Sequence, residues 1–132
     1  MKTWEVFLSN YHAKGENGPR GRARRHWRQT ARDKKIARNL IFATHKGTTS
    51  DPLPKFVGEV TCEYVRYRTS GPDMDEDNLS GSFKDLGDAL ESLGVVDNDR
   101  NIRLKAAQFR GKFKGTLIRI TQEDTEMDPD DE

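Results

Sequence analysis

Asp75-Glu76-Asp77-Asn78-Leu79-Ser80-Gly81-Ser82-Phe83-Lys84-Asp85-Leu86-Gly87-Asp88-Ala89-Leu90-Glu91-Ser92-Leu93-Gly94 is the stretch that decides the fold of this chain. Wound at about 100° per residue, Leu79, Phe83, Leu86, Leu90 and Leu93 fall within roughly 80° of one another. That stripe predicts a helix over 78–93 with one buried face, stopped at Leu93-Gly94. Asp77, Gly81, Lys84 and Asp88 lie on the opposite side. One face serves the core and the other is left for chemistry, with Gly81 allowing close approach of a ligand backbone.

Outward from this helix, Lys55 to Arg68 is rich in Val, Tyr, Phe and Thr and reads as a strand. Arg100 to Arg110 and Gly115 to Thr121 read as two more strands, expected to form a hairpin across Gly111-Lys112-Phe113-Lys114. Trp4 to Leu8 reads as a first strand, and residues 9–23 as a Gly- and Pro-punctuated loop. Arg24 to Thr44 lacks Gly and Pro and favours a helix, with Trp27, Ala31, Ala37, Leu40, Ile41 and Phe42 as a modest buried stripe. A tryptophan at a helix start is expected in the core; base stacking is the other use it has. Lys46 to Pro54 is turn material. The order predicts a small single α/β domain over residues 1–122, a mixed four-stranded sheet with two main helices, followed by an acidic, disordered tail at 123–132.

The chain has 132 residues, 33% apolar and 34% charged, so the core is small and a second copy would help to bury surface. Its net charge of +1 hides a division. Ten Lys or Arg and two acids fall between Lys14 and Arg38, whereas Glu123 to Glu132 holds seven acids and no base. Arg20, Arg22, Arg24, Arg25, Arg28, Arg32, Lys34 and Lys35 are therefore the candidates for phosphate contact. The tail suits solubility, or competition with non-specific DNA for the basic segment. Cys62 is the single cysteine, so no internal disulfide can form. No run approaches a membrane span, and Met1 to Glu5 lacks the apolar core of a signal peptide.

Free carboxylates repel: at about 4 Å and an effective dielectric near 20, two unit charges cost roughly 4 kcal/mol. Asp75, Asp77, Asp88, Asp97 and Asp99 gathered near Lys84 suggest a cation site, and hard oxygen donors suit Mg²⁺ or Mn²⁺. Such a site beside a basic, DNA-sized surface points to a nuclease. Plainer roles compete: acids before a helix cap it, and Lys84 and Asp88 are spaced as a surface ion pair. An EF-hand is excluded, because Asn78 stands at its glycine position and Lys84 at its bidentate glutamate. His12, His26, His45 and Cys62 show no zinc spacing, and no phosphate-binding glycine motif is present.

Asp75-Glu76-Asp77-Asn78-Leu79, Ser82-Phe83-Lys84, Asp88-Ala89-Leu90, Leu93-Gly94-Val95 and Asp97-Asn98-Asp99 together resemble the RusA family of Holliday junction resolvases, small phage and prophage endonucleases. The shared pattern is Asp-x-Asp-Asn, a lysine in the helix, Asp-Ala-Leu, then an acidic pair before a strand; it spans residues 75–102, with a weaker match in element order over 4–121. The resemblance implies a RusA-like fold and Mg²⁺ (Mn²⁺ possible) held by Asp75, Asp77 and Asp99. It also implies Lys84 as the catalytic lysine, Asp88 as a possible further acid and Asp97 as a competitor of Asp99. A homodimer nicking opposing strands of a four-way junction follows, in the cytoplasm of a bacterial host. Two departures stand out. The helix is longer between Asn78 and Asp88 than in the most familiar members, and Leu8-Ser9-Asn10-Tyr11 replaces the usual proline-rich segment.

Overall fold

The computed structural model describes residues 1–15 and 26–123. Its elements are β1 (Lys2–Ser9), α1 (Trp27–Thr48), β2 (Val60–Arg68), α2 (Glu76–Gly81), α3 (Lys84–Ser92), β3 (Ile102–Arg110) and β4 (Gly115–Gln122), with a single 3₁₀ turn at Asp99–Asn101. The expected mixed four-stranded α/β domain is present. Sheet order is β1-β4-β2-β3, with β4 antiparallel to both neighbours and β2 parallel to β3.

The expected β3–β4 hairpin does not form. The chain leaves β2, runs through α2 and α3, and returns parallel to β2, the crossover that parallel pairing demands. The turn at 111–114 then arches over the end of β2, where Gly111 N–H donates to Arg68 O at 2.8 Å, and delivers β4 to the other side of β2. Every strand alternates, so Val6, Leu8, Cys62, Tyr64, Ile118 and Ile120 share one face. Ala37 and Ile41 of α1, Leu79 of α2, and Leu86 and Leu90 of α3 pack on that face as one core. The opposite face carries Phe7, Tyr67, Phe109 and Phe113, whose ring centroids lie 4.9–6.1 Å apart.

The helix expected over 78–93 is broken at Ser82-Phe83. Ser82 is fully buried, and its hydroxyl donates to Leu79 O at 2.6 Å, a local bond that competes with the helical ladder. A hydroxyl has one proton, so Tyr64 Oη supplies the proton of its own 2.6 Å bond to Ser82 Oγ. The break thereby hangs from β2. The leucine stripe survives it: Leu79, Phe83, Leu86 and Leu90 are buried and Leu93 is half-buried.

Helix α1 begins at Trp27, capped by the His26 ring accepting from Arg28 N–H at 3.1 Å, and continues past Thr44 to Thr48. Buried His45 explains the extension, since Trp4 Nε1–H donates to its Nδ1 (3.1 Å) and its Nε2 lies 2.9 Å from Asp51 O. β2 starts at Val60 rather than Lys55, because Gly58 adopts φ 82° and Phe56 makes only an isolated bridge to Val96. The tail beyond Glu123 lies outside the described residues.

Candidate active site

The acids before α2 first serve the helix. Asp75 Oδ1 accepts from Asn78 N–H at 2.7 Å as N-cap, a bond that satisfies one of the four orphan donors of a helix start. Asp77 stands exposed in the first turn. Upstream, Asp73 pairs with Arg68 of β2, and Met74 is pinned by Gln108 of β3 through bonds of 3.0 and 2.7 Å.

The second group forms around Lys84 at the start of α3. Its Nζ lies 3.0 Å from Asp99 Oδ2 and 3.2 Å from Asp88 Oδ1, while Asp88 Oδ2 is 2.8 Å from Lys34 Nζ on α1. Asp99 is delivered by the 3₁₀ turn, its N–H donating to Glu91 Oε1 at 2.8 Å. Lys84 and Asp99 line a cleft of about 290 Å³ with Ser80, Gly81, Phe83 and Gly87. Gly87 leaves the room: a Cβ there would sit 3.2 Å from the Phe83 ring and 3.9 Å from Asp99 Cβ.

Electrostatics fix the charges. The hydrogen bond to Asp99, then that to Asp88, raises the Lys84 pKa above its ordinary value. Burial works to raise the Asp88 pKa, but the bonds from Lys34 and Lys84 outweigh it and hold the carboxyl below the usual range. Lys84 is thus a fixed cation at neutral pH rather than a base. Asp97 is held low by Asn101 Nδ2 (2.8 Å) and Gly58 N–H (3.2 Å), partners outside this cleft. Of the acidic pair, Asp99 is the one that meets Lys84.

The structure therefore brings together Lys84, Asp88 and Asp99, and adds Lys34. Asp75 caps α2 and Asp77 stands in its first turn, and Asp97 is occupied elsewhere. The donor chemistry suits a hard divalent cation. The arrangement does not close on one: among the described residues, no three of His, Cys, Asp and Glu form a group able to hold a metal ion.

Of the candidate phosphate contacts, Arg28, Arg32 and Lys35 are exposed on α1, and Lys34 is half-buried against Asp88. Arg20, Arg22, Arg24 and Arg25 lie outside the described residues. Trp27 is not in the core as expected but 68% exposed, because the first turn of α1 precedes its buried residues Ala37, Ile41 and His45. Its ring lies 5.5 Å from His26 and 5.2 Å from the Arg28 guanidinium. Cys62 is buried and its thiol is pushed up to about 12 by desolvation, then by Glu63, which leaves it inert as a nucleophile. Among the described residues, no helix is long and apolar enough to cross a membrane.

Sequence reading missed three polar residues at the far end of the sheet. Arg66 and Arg68 continue the core-facing parity of β2, and that parity was the signal available. His12 Nε2 lies 2.6 Å from Tyr67 O, so the neutral ring donates there. Burial, aided by Arg66, Lys114 and Arg68 and opposed by the Tyr67 bond, lowers its pKa from 6.5. The unfolded chain then takes up the proton first, so stability is intact above pH 6.5 and falls as pH drops below it. His12→Gln is expected to flatten that part of a melting-temperature profile run from about pH 7.5 to about pH 5.5; an unchanged slope would assign it to other groups.

Compared with known proteins, the chain matches no family model and no curated protein.

Proposed function

We propose that this chain is a Mg²⁺-dependent endodeoxyribonuclease (Mn²⁺ possible) that resolves Holliday junctions or other branched DNA by paired nicks, as its resemblance to the RusA family implies. The observation that carries the reading is Lys84, held 3.0 Å from Asp99 and 3.2 Å from Asp88 at a cleft in which Gly87 leaves room beside Phe83 and Asp99. A fixed cation there suits the charge that develops on a phosphate during hydrolysis. Asp99 and Asp88 orient the ammonium, and Lys34 ties Asp88 to the basic helix. The resemblance implies Asp75, Asp77 and Asp99 as metal ligands; to hold an ion they would have to draw together from the separate positions described above, and the ion would then supply further positive charge at the phosphate.

Arg28, Arg32 and Lys35 add exposed cations for the DNA backbone, and Trp27 an exposed ring for an opened base. Two sites are needed for paired nicks, so a homodimer belongs to the proposal. Phe109 and Phe113, more than half exposed on the helix-free sheet face, offer apolar surface that a second copy would bury. A phage or prophage enzyme of this kind would act in the bacterial cytoplasm.

A second reading draws on the spread of the acids: a protein that binds DNA structures without cutting them, its metal site decayed. Labelled four-way junction, fork and linear duplex, each with and without Mg²⁺ or Mn²⁺, decide between the two. Paired nicks in the junction that need the ion are the expected result. Binding without nicks under every condition would replace the first reading by the second, and no binding at low salt would remove both.

A further inference from the structure

Strand β2 points Val60, Cys62 and Tyr64 into the core and then, on the same face, Arg66 and Arg68. Arg68 is 8% exposed. Its Nε donates to Gly71 O at 3.0 Å and its Nη2 pairs with Asp73, but its Nη1 is buried with no hydrogen-bond partner among the described residues. In Arg66, both Nε and Nη1 are buried and equally without an acceptor. Asp73, the carboxylate that acts on Arg66 besides the Tyr64 phenol, is already paired with Arg68.

A buried donor left without an acceptor destabilises the fold, and a charged one does so more. Two adjacent guanidiniums in that condition call for an acceptor carrying several oxygens and negative charge. A guanidinium fork matches a phosphate in geometry as well as in sign. The place is also significant. Arg66 lies opposite Gln108 in the β2–β3 register, and Gln108 clamps Met74, the residue before Asp75. Arg66 is half-buried rather than sealed, so part of its side chain meets solvent.

We infer that Arg66 and Arg68 form a phosphate-binding site beside the Asp75–Asp77 acids, and that its ligand is a backbone phosphodiester of the nucleic acid. The second half of this inference rests on the proposed DNA-cleaving function. The site would hold one phosphate of the strand and so set which neighbouring linkage reaches Asp75 and Asp77. Arg68 is the scaffold of the pair, tied to Gly71 and Asp73, whereas Arg66 is the member free to engage the ligand.

The test uses the full chain and its Arg66→Met and Arg66→Gln variants, all in EDTA. Inorganic phosphate is titrated against sodium chloride of matched ionic strength while melting temperature is followed, and four-way junction binding is followed by fluorescence anisotropy. Wild type should melt higher with phosphate than with matched salt, and neither variant should. Junction affinity should fall roughly tenfold in both variants, the loss of about one charge-assisted phosphate contact. Without phosphate, Arg66→Met should melt at or above wild type, because it replaces an unpartnered buried cation with an apolar stem of similar length. If Arg66→Met instead melts well below wild type without phosphate, the guanidinium is satisfied within the protein and the inference fails. It fails also if phosphate raises all three proteins alike. A phosphate response with no change in junction affinity would keep the anion site but overturn its nucleic-acid ligand. Because no cleavage is read, failure of the nuclease reading leaves these outcomes intact.

Discussion

Asp77→Asn and Asp75→Asn are each expected to lower four-way junction cleavage at least roughly 10³-fold while leaving junction binding in EDTA in place. Asparagine keeps the size of the side chain and removes its charge. At position 75 it also keeps the acceptor oxygen that caps α2, and Asn is as good an N-cap as Asp, so the helix start survives. The loss of activity would then report on charge and not on folding. Without metal, both variants should melt at or above wild type, since Asp73, Asp75, Glu76 and Asp77 are exposed acids crowded into five residues. Single-turnover cleavage beside a melting curve checks both halves. Full cleavage by both variants would remove Asp75 and Asp77 from the chemistry.

Leu86→Ala is expected to cost about 3 kcal/mol, near the middle of the range for truncating a buried leucine. Leu86 is fully buried on α3, in the layer shared by α1 and the sheet. For a chain of this size, a loss of that order corresponds to a fall of roughly ten degrees in melting temperature. Its neighbours on α3 include Lys84 and Asp88, so part of the loss should appear as weakened linkage between α3 and α1 through Asp88 and Lys34. Urea unfolding gives the number; a cost well under 1 kcal/mol would mean that the α3 stripe does not carry the packing of this core.

The leucine stripe of α3 was plain in the sequence because helical periodicity is a local property and burial follows from it. The polar side of the same wheel gave Lys84 and Asp88, and the following loop gave Asp99; these three do meet. What escaped is set at long range. Nothing local tells β4 to pass its sequence neighbour β3 and pair with β2 and β1. The break at Ser82 depends on Tyr64, eighteen residues earlier in the chain. Lys34 looked like one more surface cation, and only the packing of α1 on α3 sets it against Asp88. Arg66 and Arg68 were hidden by the expectation that the core-facing side of a strand is apolar throughout.

β4 is the last of the described strands and an interior strand of the sheet, holding β1 on one edge and β2 on the other. The register joins Lys2 to Gln122, so β1 waits for a strand more than a hundred residues further along the chain. Until Gly115 to Gln122 has emerged from the ribosome, β1 has no partner and β2 lacks one of its two. Such non-local pairing slows folding, because long loops must close before the contacts that reward them exist. The same wiring holds the sheet back from completion until Gly115 to Gln122 is in place.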